Sequence, residues 1–463
     1  MRSEARAGLA RLRLLSPERQ AELTPVIRRL LTVRLLRSLT QGTLVVDFAL
    51  YLHALGWSGT AIGLVLAGAG LANTAFALVV GPLSDRIGRR GLLLAYQVLA
   101  LVTALVALAT AEPLLLAPAA ILGGFGRGAN GTAGGFSPAE QAWLAEAAPP
   151  VARPWIFSLN SALGFFGMGL GAALGATPVI FAAWLPGPLA YRPLFAFAAF
   201  VAVAGGLILA RTEERYRPLR PTTAERSAAA PIRRQEDRLL LALSSINALG
   251  GASIGLTGPL ISYWFAVRFD LGPESIAPVL AVSFLLTGLA SIAAGRIAET
   301  RGVIRSVVVG RTLGLLCLVA IPLAPTYVLA AVAYAGRSIF SRGTAGPRQA
   351  LVVGLVRDER RGLAVSVSNA SLQLPASLGP AVAGPLIEAG LLDLPFYVAA
   401  VLQAVFIAGY ARVLLPHEPP RRGHDAETMG AEARSVTGTA RRDDPTDDIA
   451  TSLIDDTNVD GPP

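Results

Sequence analysis

Gly81-Pro82-Leu83-Ser84-Asp85-Arg86-Ile87-Gly88-Arg89-Arg90 is the stretch on which the reading of this chain turns. A degenerate copy lies far downstream as Gly295-Arg296-Ile297-Ala298-Glu299-Thr300-Arg301-Gly302. Gly81, Asp85 and Gly88 recur as Gly295, Glu299 and Gly302 at one spacing. Each copy closes an apolar block of roughly 20 residues, the length that crosses a bilayer as a helix. The likeness continues outward. Gly-Thr-Ala-Gly occurs at Gly131 to Gly134 and again at Gly343 to Gly346, followed by Gln141-Ala142 and Gln349-Ala350. Beyond these, Arg153 and Arg361 precede Ser158 and Ser366. One unit has been duplicated, and repeats of this kind are a mark of membrane carriers.

Composition agrees. Only 15% of the 463 residues are charged and 53% are hydrophobic, whereas a soluble domain is about 25% charged. The apolar residues fall into twelve blocks: 36–56, 59–81, 91–111, 113–136, 155–182, 191–211, 239–266, 274–294, 304–323, 325–347, 362–388 and 394–415. The expected fold is all-α, with twelve transmembrane helices in two pseudo-symmetric bundles of six, 32–211 and 239–415. Residues 212–238, rich in Arg, Glu and Pro, read as a linker, 1–31 as an N-terminal arm able to lie on a membrane as an amphipathic helix, and 416–463 as an acidic disordered tail.

Every one of the 40 basic residues is arginine. Counted joint by joint, arginine crowds one side of the spans: nine before residue 38, then Arg86, Arg89, Arg90, Arg153, the linker, Arg296, Arg301, Arg305, Arg357, Arg360 and Arg361. The other side carries Arg192 and Arg268. Positive loops stay cytoplasmic, so both termini are expected there, in a cell membrane. The +9 net charge is thereby assigned to topology and anionic lipid headgroups, and nucleic acid is not an expected partner. The lone cysteine, Cys317, cannot form an internal disulfide, and of the three histidines His417 and His424 lie in the tail. No metal or other cofactor is expected. Nor is ATP, for want of a phosphate-binding loop ending in Lys-Ser or Lys-Thr.

On the strength of Gly81 to Arg90, the weaker copy and the six-plus-six arrangement, the chain resembles the major facilitator superfamily of secondary transporters over about residues 32 to 415. The resemblance implies the major facilitator fold and a conformational latch formed by Gly81, Asp85, Arg86, Gly88, Arg89 and Arg90 with Gly295, Glu299 and Gly302. It also implies that the first, fourth, seventh and tenth spans line a central cavity. One departure stands out. The family's antiporter signature has a Gly-Pro pair in span five, and here the pair is Gly379-Pro380, in span eleven. Export by proton exchange is to that extent in doubt.

A charge at mid-membrane costs about 2.5 to 3.5 kcal/mol on insertion scales, so embedded charges are functional candidates. Asp47 lies midway along span one, with Thr40, Thr43 and Tyr51 on its face. It is the candidate for proton coupling, with Arg127 of span four, beside Asn130, as its partner. In span ten, Arg337 is continued by Ser341, Thr344 and Arg348 at helical spacing, and no acid of the second half offers itself to Arg337. Asn73, Asn130, Asn247, Thr257, Arg337, Ser341, Thr344, Asn369 and Gln373 are the expected cavity residues. Tyr263 and Trp264 suit an interfacial anchor, and His53 a solvated cap.

The expected activity is secondary transport by alternating access, not catalysis. Proton-coupled export of small amphiphilic or drug-like molecules by a monomer comes first. A proton-coupled symporter or exchanger of an anionic metabolite or lipid headgroup is the alternative, and a membrane sensor or scaffold acting through the acidic tail is the third reading.

Overall fold

The computed structural model describes residues 22–126, 134–148, 153–214, 230–344, 348 and 361–415, and the regular elements there are helices. In the first half they are α1 (Pro25–Ala54), α2 (Gly59–Ile87), α3 (Arg89–Ala109), α4 (Pro113–Gly123), α5 (Ser137–Ala147), α6 (Arg153–Leu174), α7 (Thr177–Phe181) and α8 (Arg192–Ala210). The second half has α9 (Ala230–Thr257), α10 (Ile261–Phe269), α11 (Pro273–Arg301), α12 (Val303–Leu323), α13 (Tyr327–Arg342), α14 (Arg361–Glu388) and α15 (Leu394–Leu414). Eight helices among the described residues are long and apolar enough to cross a membrane on those grounds alone. Large apolar side chains such as Val98, Phe200, Leu207, Val332 and Val401 face outward, as lipid contact requires. The tail and residues 1–21 lie outside the described residues.

Four of the revisions to the expected spans bear on the site. Span one starts early, at Pro25, because Thr24 caps it by accepting a hydrogen bond from the Ile27 amide (3.4 Å) and proline suits the first helical turn. Span seven begins at Ala230, inside the expected linker, and breaks at Gly258-Pro259-Leu260 before α10. Span ten ends as a helix at Arg342, short of 347. Span four is not continuous to 136. Its helix stops at Gly123, because Gly124 and Gly126 take left-handed backbone (φ 64° and 68°), and the next helix among the described residues begins at Ser137. Glycine adopts that conformation without the steric penalty a Cβ brings.

The duplication is visible in the backbone. Gly88 ends α2 and opens α3 at φ 92°, and Gly302 stands before α12 at φ 94°. The same chirality-breaking corner therefore occupies the matching point of both halves. The packing repeats too. α1 lies on α6 as α9 lies on α14, and α3 on α8 as α12 on α15. In the first pair Gly42 abuts the Met168 carbonyl, in the second Gly251 abuts that of Leu372, both too close for a Cβ. Small residues let helix backbones approach where lipid offers no hydrophobic drive. The glycines of span five and the Gly379-Pro380 pair serve this purpose, Gly171 meeting the Leu39 carbonyl and Gly379 meeting Gly255.

The halves join through α2 with α14 and α6 with α11. At the end where residues 210–214 meet α1 and α3, called here the linker end, the apolar core of the described residues is divided. One cluster, including Ile27, Leu30, Leu93, Trp143 and Leu209, belongs to the first half. Another, including Leu243, Ile304, Val307, Phe406 and Tyr410, belongs to the second. Toward the far end a single cluster runs across both, from Phe48, Leu52 and Val65 to Trp264, Phe284 and Ile387.

Candidate functional site

The signature loop is built around Glu214, which sequence reading placed in the linker without a role. Its carboxylate accepts from the backbone amides of Arg89 (2.7 Å) and Arg90 (2.8 Å), the exposed donors at the start of α3. An acid at a helix N-terminus satisfies such donors and suits the helix dipole. Arg89 is ion-paired with Glu146, and the Arg90 guanidinium donates to the Ala210 carbonyl. The loop thus ties α2, α3, α5 and the end of α8 together within one half. The side chains of Asp85, Arg86 and Glu299 lie outside the described residues, and Gly81 and Gly295 contribute only helical backbone.

Asp47 is buried, at 1% exposure, and neither carboxylate oxygen has a hydrogen-bond partner among the described residues. It points into the first half against the end of span five. Its Oδ2 lies 2.9 Å from where a Cβ on Gly175 would stand, so the glycine makes its room. Tyr191 is near enough to feel its charge. The residues sharing its stripe are packed inside the bundle. Thr43 donates to the Gly171 carbonyl (2.8 Å), and Tyr51 stacks edge-on to Phe195 at 5.1 Å. Arg127 and Asn130 lie outside the described residues.

The join carries two of the expected cavity residues face to face: Asn73 Nδ2 donates to Gln373 Oε1 (3.4 Å) across α2 and α14. One turn nearer the linker end Asn369 is exposed. Asn247 donates to Ser368 Oγ (2.9 Å), and the Arg337 guanidinium to Thr257 Oγ1 (2.7 Å), both buried within the second half. Ser341 and Thr344 are placed differently from the expected water-lined stripe. They fit against Gly314 and Gly310 of α12, at a helix contact, because the glycines leave a notch on that face.

At the far end the closure is made by Glu388, the last residue of α14. Its carboxylate accepts from the Thr60 amide (2.9 Å) and Thr60 Oγ1 (2.6 Å), at the start of α2 in the other half. His53 stacks edge-on against Tyr263 (5.2 Å), and Ser262 Oγ donates to the Val45 carbonyl (3.4 Å). Trp264, read as an interfacial anchor, is instead a core side chain whose indole donates to the Leu392 carbonyl (3.0 Å).

Three groups escaped the sequence reading. Arg37, half-buried, and Glu140, buried, form an ion pair between α1 and α5. Beside it, a cavity of about 60 Å³ opens at the break in span four, bounded by Arg37, Thr40, Gln41, Gln97 and Gly123 to Gly126. Arg311, buried in α12, lies over the Phe406 ring at 5.2 Å. A lone arginine in an apolar run was the available signal for Arg311. Glu140 gave none, since it reads as a solvated acid in a joint.

The Major Facilitator Superfamily profile matches residues 30–336 and 243–446. Among solved structures, the nucleoside transporter NupG aligns at TM-score 0.67 and 13% identity, over 84% of this chain and 99% of that one. A D-xylose–proton symporter aligns at 0.66 and 17%, over 84% and 97%. A bacterial homologue of the human lysosomal transporter Spinster, inward-facing and unoccupied, aligns at 0.60 and 15%, over 87% and 96%. Identities this low establish a common fold. No curated protein matches the sequence.

Proposed function

This chain belongs to the Major Facilitator Superfamily, and from that premise we propose that it is a proton-coupled secondary transporter working by alternating access, with Asp47 as the coupling acid. The observation that carries this reading is the shape of the apolar core, one cluster across both halves at the far end and two separate clusters at the linker end. A carrier held shut at one mouth has that shape, and rocking the halves about the join moves the closure to the other mouth. The arginine bias supports placing both termini in the cytoplasm, so the closed mouth is the outer one and the carrier works as a monomer in the cell membrane.

Asp47 is sealed from solvent in this state. A buried carboxylate without hydrogen-bond donors is costly when charged, which favours its carrying a proton here and releasing it when α1 and α6 shift and admit water. Gly175 leaves the space for that exchange.

Two substrate classes follow from different observations. Export of small amphiphilic or drug-like molecules is the class that membership of the family suggests. The embedded arginines of the second half favour the other class, anionic metabolites or lipid headgroups, taken up or exchanged with protons. Everted vesicles under an imposed pH gradient separate the two: cationic dye accumulation supports export, and gradient-driven movement of carboxylates or phosphates supports the anionic class. In both, Asp47→Asn is expected to keep expression and folding and to abolish the response to the gradient; unchanged coupling refutes the role of this carboxylate. Deleting 416–463 is expected to leave transport intact, and a loss of every phenotype on deletion supports a sensor or scaffold instead.

A further inference from the structure

Four arginines occupy the interior of the second half: Arg311 in α12, Arg337 and Arg342 in α13, and Arg348 beyond it. Arg311 and Arg337 are 5% and 6% exposed. Arg348 and Arg337 lie within electrostatic reach of Arg311, and Arg342 within reach of Arg337. Arg337 donates to Thr257 Oγ1 (2.7 Å) and Arg342 to Tyr334 Oη (3.2 Å), and two of the four lie over ring faces. Arg311 lies over Phe406, and Arg342 over Phe284 (5.4 Å) and Tyr334 (5.8 Å). Arg311 Nε, Arg342 Nη1 and Arg348 Nη1 are buried with no hydrogen-bond partner among the described residues. Gln403, which could have served Arg311, donates to its backbone carbonyl instead (3.1 Å). No carboxylate among the described residues pairs with any of the four.

The repeat makes the imbalance meaningful. Counted from the matching corners Gly88 and Gly302, Arg311 stands where the first half has Gln97. Counted from the matching Gln141-Ala142 and Gln349-Ala350, Arg348 stands where it has Glu140. In the first half Glu140 neutralises Arg37, and Gln97 lines the small cavity beside them. At the matching positions of the second half a neutral residue and an acid are both arginine, so positions that balance in one copy carry only cations in the other. Uncompensated buried charge is strongly destabilising, and a guanidinium whose face rests on an aromatic ring still offers its N–H edge to an oxyanion, two bonds at a time.

We propose that Arg311, Arg337 and Arg348 form an oxyanion site in the second half, which takes the phosphate or carboxylate group of the substrate. The proposal rests on the anionic reading given above and assigns it to named residues.

The test is binding without a gradient. Full-length protein in neutral detergent is titrated calorimetrically with sodium phosphate and, at matched ionic strength, with sodium chloride. Phosphate is expected to bind in preference to chloride. Arg311→Gln, which installs the residue of the other half, is expected to weaken phosphate at least tenfold and to raise thermal stability without phosphate. Arg348→Gln gives the same readout should Arg311→Gln not fold. Nanodiscs of phosphatidylcholine with and without phosphatidate separate the sources. Competition by phosphatidate assigns the site to a lipid headgroup, and its absence to a free anion; either supports the site. Wild-type protein that does not distinguish phosphate from chloride, or an Arg311→Gln variant that binds phosphate as well as wild type, overturns it. Asp47→Asn is expected to bind phosphate normally, so a failed coupling role and a failed anion site leave different signatures.

Discussion

Arg37 and Glu140 bond to one another in the interior of the first half, and each makes the other's burial tolerable. Glu140→Gln leaves the guanidinium alone and is expected to cost about 3–5 kcal/mol, read as a lowered unfolding midpoint in detergent. The neutral double variant Arg37→Gln with Glu140→Gln is expected to recover most of that loss, because a buried pair contributes little net stability over neutral groups. Neither partner was legible as a site. Arg37 reads as one of many positive-inside arginines and Glu140 as a joint residue, and their meeting across the fold is not encoded in local spacing. Asp47 was legible, since an acid in an apolar run declares itself. Its surroundings were not: helical spacing orders residues on a face without saying which neighbour that face meets, and here it meets Gly175 and span five.

Helices α3 and α12 begin on the same backbone corner, and this is where sequence and structure correspond best. Gly88 and Gly302 recur because the chain must turn through a positive φ that only glycine adopts without strain. Gly302→Ala is expected to destabilise by about 1–3 kcal/mol, measured by thermal unfolding, without altering which helices form. The donor cap of α3 comes from Glu214, so Glu214→Ala is expected to cost about 0.5–2 kcal/mol and to raise amide exchange at Arg89 and Arg90. The break in span four shows the opposite case. Its apolar residues suit a continuous helix, but the local glycine density decides, and hydropathy counting is blind to backbone freedom. The recurrent Gly-Thr-Ala-Gly was legible as repetition, and the helix interruption beside it was not.

Between the two halves, the duplicated sequence predicts the bundle-on-bundle architecture but not which mouth is shut, because both arrangements use the same twelve helices. The far-end closure is therefore a prediction at this scale. Thr60 and Glu388 are hydrogen-bonded to one another across it. In a Cys317→Ser background, Thr60→Cys with Glu388→Cys is expected to be bridged by a short, reducible thiol crosslinker, to stop transport, and to regain it on reduction; transport by the bridged protein refutes a moving closure. The material of that closure has a thermal consequence. The seam around Phe48, Trp264 and Phe284 is oily, so a carrier that must wet it during each cycle increases its heat capacity at that step. Its turnover should accordingly trace a bent line, not a straight one, when the logarithm of rate is plotted against reciprocal temperature.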